Sequence, residues 1–187
     1  MAEAYPTPLA GQRLTSSLLR SMQSQVARKT ADTARAATST AVADPHLFFE
    51  VEANAVYIWH GWIKYDASTA GDIGIDWTAP SGALGEWRGW GPGVNRIVGA
   101  TDATPPVIQA DTSAATGYMV RIESNDVTSL RTFGGLGAGN LLTMSLDGTL
   151  RVASTGGTFS LDWAQRTSDA TATTLYTDSW ISLQRIA

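Results

Sequence analysis

Cysteine is absent from the 187-residue chain, which excludes a disulfide framework, a thiolate metal site and a cysteine nucleophile together. Charge is scarce too: Asp, Glu, Lys and Arg make up 16% of the residues and the net charge is −4. The basic balance on which phosphate-backbone binding rests is missing, so nucleic acid is not expected as a partner. No apolar run approaches the roughly 20 residues of a membrane span, and the opening MAEAYPTPLAGQR lacks the basic and apolar regions of a signal peptide. Synthesis in the cytoplasm without membrane insertion is the expectation. Imidazole is limited to His46 and His60, and a Gly-x-Ser-x-Gly elbow is lacking, so serine hydrolysis has no constellation to rest on. His60, between Trp59 and Gly61 in a strand pattern, reads as a half-exposed strand residue rather than a base. The run GGLGAG at 134–139 is followed by no lysine and no helix pattern, so it is read as a surface loop and no cofactor is expected.

What the chain has is β-forming sequence. Residues 47–80, LFFEVEANAVYIWHGWIKYDASTAGDIGIDWTAP, alternate or run apolar in Val, Ile, Tyr, Phe and Trp, with EAN and STAGD as turns. They are expected to form three adjacent antiparallel strands, with Trp59, Trp62 and Trp77 mostly holding a sheet together or facing a neighbouring subunit. Further strands are expected at 106–109, 117–124, 140–145, 149–154, 158–164 and 179–186, giving nine or ten after the helix described next. LDGTLRV is read as a tight hairpin turning at Asp147-Gly148, and TGGTFSLDW as a repeat of that device. The run at 130–139 is expected to be flexible or bulged, and Asp44-Pro45 to be a turn that launches the sheet. The fold class is therefore mainly β: a jelly-roll-like antiparallel β-sandwich preceded by an extended N-terminal arm and one short amphipathic helix.

That arm, residues 1–11, carries Pro6 and Pro8 around Thr7 and cannot join a helix or a central strand. From 12 to 25 the spacing of Leu14, Leu18, Leu19 and Met22 puts all four on one helical face. A helix of three to four turns is too short to stand alone in water, so its stripe must pack on its own domain, on symmetry mates or on a host assembly. Residues 1–27 are read as an anchoring and oligomerising segment, with Tyr5, Pro6, Leu9, Leu14, Leu18, Leu19 and Met22 at the interface, and 28–187 as the β-sandwich domain. One strand is expected at about 26–33, then a loose connection.

The stretch 81–106 holds six of the 18 glycines and three of the seven prolines, so regular structure is expected to break there. Trp87 and Trp90, flanking Arg88 and Gly89 on that loop, either cap the open end of the sandwich or form a surface patch with Arg88 for a partner or a sugar face. Asp72 and Asp76, four residues apart, with Asp66 ending the preceding strand, make a carboxylate pair or calcium site geometrically conceivable. The plainer reading gives these acids to turn caps and solubility.

The run 44–83, DPHLFFEVEANAVYIWHGWIKYDASTAGDIGIDWTAPSGA, resembles a β-rich segment that recurs in virion structural proteins of tailed phages infecting actinobacteria. Its marks are the ANAVY entry into a strand at 53–57, Gly71-Asp72 opening the next strand, and the WTAPSGA exit at 77–83; PLAGQRLTSSLLRSMQ is similar to phage fibre attachment segments. The resemblance implies a non-enzymatic virion component, a short fibre or minor tail protein or a capsid decoration or head fibre. It further implies a homotrimer, held to other virion proteins by its N-terminal arm. A carbohydrate or host-surface binding module, using Trp87, Arg88 and Trp90 on a cell-surface glycan, is the alternative.

Overall fold

The computed structural model describes residues 6, 9–94, 118–120 and 127–187, and among these twelve strands follow one short helix. After α1 (Ser16–Ser21) come β1 (Gln25–Arg28), β2 (Thr33–Arg35), β3 (Val42–Val51), β4 (Val56–Asp66), β5 (Ile73–Thr78) and β6 (Leu84–Trp90). The remainder are β7 (Tyr118–Val120), β8 (Arg131–Phe133), β9 (Leu142–Arg151), β10 (Gly157–Ala164), β11 (Thr173–Leu175) and β12 (Trp180–Arg185). The larger sheet runs β1-β12-β4-β9-β6-β7, with β11 joined to β4 and β2 to β11; the smaller runs β3-β10-β5-β8. Every pairing is antiparallel. The chain is an antiparallel β-sandwich, as its sequence predicts. The strand expected at 106–109, Tyr5 and all but 118–120 of the strand expected at 117–124 lie outside the described residues.

The connectivity differs from expectation. β3, β4 and β5 are successive but not adjacent: β3 and β5 lie in the smaller sheet with β10 between them, and β4 lies in the larger. The turns at 52–55 and 67–72 thus carry the chain between layers, so the inward faces of successive strands look at one another across the core. Asp147-Gly148 is no hairpin either. It lies in the middle of β9, paired with β4 on one side and β6 on the other. Gly148 stands between Trp59 and Trp87 in register, and a Cβ there would come within 2.7 Å of the Trp59 ring. The glycine is needed for close approach, not for a turn. Gly156-Gly157 likewise leads from β9 in one sheet to β10 in the other.

Two more expectations give way for similar reasons. The Gly-rich stretch after Pro80 contains a regular strand, β6, whose Gly89 lies inward against the Phe133 ring where a side chain would collide. Asp44-Pro45 sits inside β3, beside an irregularity in its pairing with β10 between Ser160 and Asp162. A proline is tolerated there because β3 is an edge strand. β1 begins at Gln25 and pairs with β12, so the sheet starts before the expected boundary at 27/28. The helix is shorter than the predicted 12–25.

The core is aromatic at its centre. Trp77 of the smaller sheet lies 4.3 Å from Trp59 and 6.0 Å from Trp87 of the larger, and stacks on Phe159 at 4.9 Å. At about 25 cal/mol per Å², burying each indole contributes about 4–6 kcal/mol of transfer free energy. The indole N–H groups of Trp59, Trp77 and Trp87 find no acceptor among the described residues, so these rings stabilise by packing.

A second fastening is ionic. Lys29, just past β1, and Asp44 of β3 are fully buried, with Nζ to Oδ2 at 2.6 Å. The ammonium also donates to Thr33 Oγ1, and the same carboxylate accepts from Trp163 Nε1 at 3.1 Å and from the His46 amide. These contacts tie one sheet to the other.

Candidate functional site

The outer face of the larger sheet carries the most distinctive chemistry. Along β4 the alternation sends Tyr57, Trp59, Ile63 and Tyr65 into the core and Ile58, His60, Trp62 and Lys64 outward. Register then aligns the outward residues of four neighbouring strands in rows. One row reads Trp90, Ser145, Trp62 and Trp180; the next reads Arg88, Asp147, His60 and Ser182. Trp90 is 50% exposed, while Trp62 and Trp180 are half-buried. A shallow depression of about 540 Å³ opens among His60, Trp62, Ser145, Asp147 and Trp180, floored by Gly61 and Leu146. The His60 ring stands edge-on to Trp180, 5.1 Å between centroids. Arg88 Nε donates to Asp147 Oδ2 at 2.7 Å, and Arg28 pairs with Asp178 beyond Trp180.

This arrangement divides the residues the sequence had grouped. Trp87 is 3% exposed and belongs to the core, so the expectation of an exposed Trp87 is corrected; Arg88 and Trp90 do lie at the surface. The physical reason is parity. Trp87 and Trp90 are three apart on a strand, and odd separations face opposite sides of a sheet. The same parity separates Trp59 from Trp62, and the inward Ile181 and Leu183 leave Trp180 outward. Parity alone therefore puts Trp62 and Trp180 outward, which reading 81–106 as irregular and grouping Trp59, Trp62 and Trp77 together had hidden.

Before the sandwich, Leu9, Leu14, Leu19 and Met22 are 76%, 64%, 50% and 40% exposed, Leu18 is half-buried and Pro6 is partly covered. None of them joins the core cluster. Thr15 Oγ1 caps the short helix by accepting from the Leu18 amide at 3.2 Å.

The acidic residues at 66, 72 and 76 serve backbone groups. Asp66 accepts from the Gly139 amide at 2.6 Å, the Thr174 amide at 3.1 Å and the Tyr176 hydroxyl at 3.0 Å. Burial, and then this bond to Asp66, raise the Tyr176 phenol above its ordinary pKa. Asp72 is buried, accepts from the Gly135 amide at 2.8 Å and faces Arg166 at 3.4 Å. Asp76 accepts from the amide of Trp77. The two buried carboxylates thus hold the 134–139 loop, part of the run at 130–139 expected to be flexible or bulged. Among the described residues no group of three or more His, Asp and Glu is placed to hold a metal, and no helix is long and apolar enough to cross a membrane.

Neither a protein-family model nor a curated protein matches the chain. Among solved structures, the crystal structure of the infectious bursal disease virus VP2 subviral particle overlaps at 9% identity and a TM-score of 0.21, over 86% of this chain and 39% of that one. The structures of the Gt and Gx strains of the same virus overlap at 13% identity with TM-scores of 0.20 and 0.21, over 87% of this chain and 40% and 41% of those. This chain spans about two-fifths of their length. Likeness at this level assigns it neither family nor role.

Proposed function

We propose that the chain is a non-enzymatic structural component of a tailed-phage virion, a short fibre or minor tail protein anchored by its N-terminal segment with the β-sandwich exposed to solvent. The observation that carries this reading is the apolar stripe of the arm and helix. Leu9, Leu14, Leu19 and Met22 stay exposed although the sandwich closes its core without them. A six-residue helix has no stability of its own in water, so a partner surface supplies the packing its leucines lack. The similarity of residues 44–83 to virion proteins, now located on β3, β4, β5 and the turn beyond, supports the same reading. A place on the capsid as decoration or head fibre uses the same anchor. The assembly is a homotrimer in this proposal, and other virion proteins receive the arm.

The test keeps the chain whole. Leu14→Ser, Leu18→Ser and Leu19→Ser together should leave the circular dichroism and thermal midpoint of the sandwich unchanged, while abolishing incorporation into particles and converting the trimer to monomer in light scattering. Loss of the sandwich itself would put the helix in the fold, and unchanged incorporation would remove the anchor.

A further inference from the structure

We infer that the outer face of the larger sheet, centred on Trp62, Trp180 and His60, binds a neutral, β-linked pyranose chain. The inference is independent of the virion reading, since it rests on residues outside the arm. Three indoles stand in one cross-strand row, Trp180 next to Trp62 and Trp90 two strands further on, a distance of about 10 Å at ordinary strand spacing. Between and beside them stand groups that exchange hydrogen bonds with hydroxyls: Ser145, which separates Trp62 from Trp90, and Asp147 and His60 in the next row. A pyranose has this double character, with an apolar C–H face to lie on an indole and hydroxyls around its rim. The depression, about 540 Å³ and lined by aromatic and a few polar groups, is within the size range of small-ligand sites.

Charge narrows the ligand. The charged groups beside the indoles are two ion pairs, Arg88 with Asp147 on one side and Arg28 with Asp178 on the other, and Lys64, two residues from Trp62 along β4. With both arginines already paired to carboxylates, this face fits a neutral chain better than an acidic polymer, which needs a run of cations to meet its repeated charge. A second copy of this chain is a poorer occupant, because the centre of a protein interface is depleted in charged residues and here an ion pair abuts the indole row. The row crosses β6, β9, β4 and β12, which suits an extended chain lying over several strands better than an isolated small molecule.

The experiment titrates the full-length protein with the soluble hexamers of β-1,4-linked glucose and of β-1,4-linked N-acetylglucosamine, followed by calorimetry and tryptophan fluorescence. Binding of at least one hexamer at millimolar or lower concentration is expected, with a change in indole emission. Trp62→Ala should weaken it at least tenfold and Trp90→Ala several-fold, each with an unchanged thermal midpoint. If Trp62→Ala fails to fold, Trp180→Phe and Ser145→Val supply the reading: the first keeps part of the stacking and most of the affinity, the second loses hydrogen bonding and affinity. Absence of heat and fluorescence change with both hexamers overturns the inference. Equal binding by wild type and the variants overturns it too, as does a Trp62→Ala protein whose only change is a smaller oligomer, which would make this face a contact between copies.

Discussion

Gly148→Ala tests the packing at a single atom. The added Cβ would collide with the Glu86 carbonyl and the Trp59 ring, and overpacking of this kind costs about 1–3 kcal/mol or more; the fall in urea midpoint should be large at this outwardly modest position. Lys29 and Asp44 make a complementary case. Removing one member of a buried ion pair leaves the other charged and unpaired, at about 3–5 kcal/mol. Lys29→Met is therefore expected to be strongly destabilising in chemical denaturation. Asp44→Asn should be at least as harmful, because Asp44 also accepts from Trp163 and from the His46 amide. The double replacement Lys29→Met with Asp44→Leu should recover part of the loss, and a double variant worse than the sum of the singles would show that the pair is not coupled in this way. At this scale the glycines and acids were the hardest residues to read. Gly148 and Asp44 have the composition of turn residues, and only their neighbours across the sheet reveal that one makes room and the other satisfies a buried cation.

At the scale of elements, the loop following β1 is tied to the segment between β11 and β12 by Asp32, whose Oδ1 accepts from the Thr177 amide at 2.7 Å and its hydroxyl at 2.8 Å. The amide bond first, then the hydroxyl bond, lower the Asp32 pKa below the ordinary aspartate value. A lowered folded-state pKa contributes stability that is present above the unfolded value, about 3.9, and is lost as pH falls through the lower folded one. Carboxyl-carbon NMR should therefore show Asp32 titrating below the ordinary aspartate range, and Asp32→Asn should restrict its effect to higher pH. An Asp32 midpoint at or above the ordinary value would contradict the bond. The 134–139 loop gives another element-scale expectation: Asp72→Ala should speed hydrogen exchange at the Gly135 amide while Gly139, held by Asp66, stays protected. Strand existence was largely legible from alternation. The turns between strands were not, because a Gly or Asp-Gly pair marks a change of sheet, a close approach and a hairpin with the same letters.

For the molecule as a whole, cutting before Gln25 should leave a folded sandwich, since among the described residues β1 is the first strand in a sheet and the core contains nothing earlier. A cut after Arg28 should not, because it deletes the partner of one edge of β12. Comparing the two by circular dichroism and thermal melting distinguishes an appended arm from a structural one. The β class and its antiparallel character could be read from residue patterning. The exposed tryptophan row could not be assembled that way, because register between β4, β6, β9 and β12 depends on pairings between residues as much as 128 apart in sequence, Tyr57 with Arg185.

The alternation of β3, β4, β5 and β6 between sheets has a kinetic meaning. No tight hairpin among them can form early and template the rest: β4 waits for β9 and β12, and β3 and β5 both wait for β10. The pairings among the described strands are non-local, which places refolding in the slow range of milliseconds to seconds characteristic of β-sandwiches. On the ribosome, the aromatic strands of the first half would emerge long before their partners do. The nascent chain therefore remains open, and dependent on protection of its tryptophans, until β12 has cleared the exit tunnel.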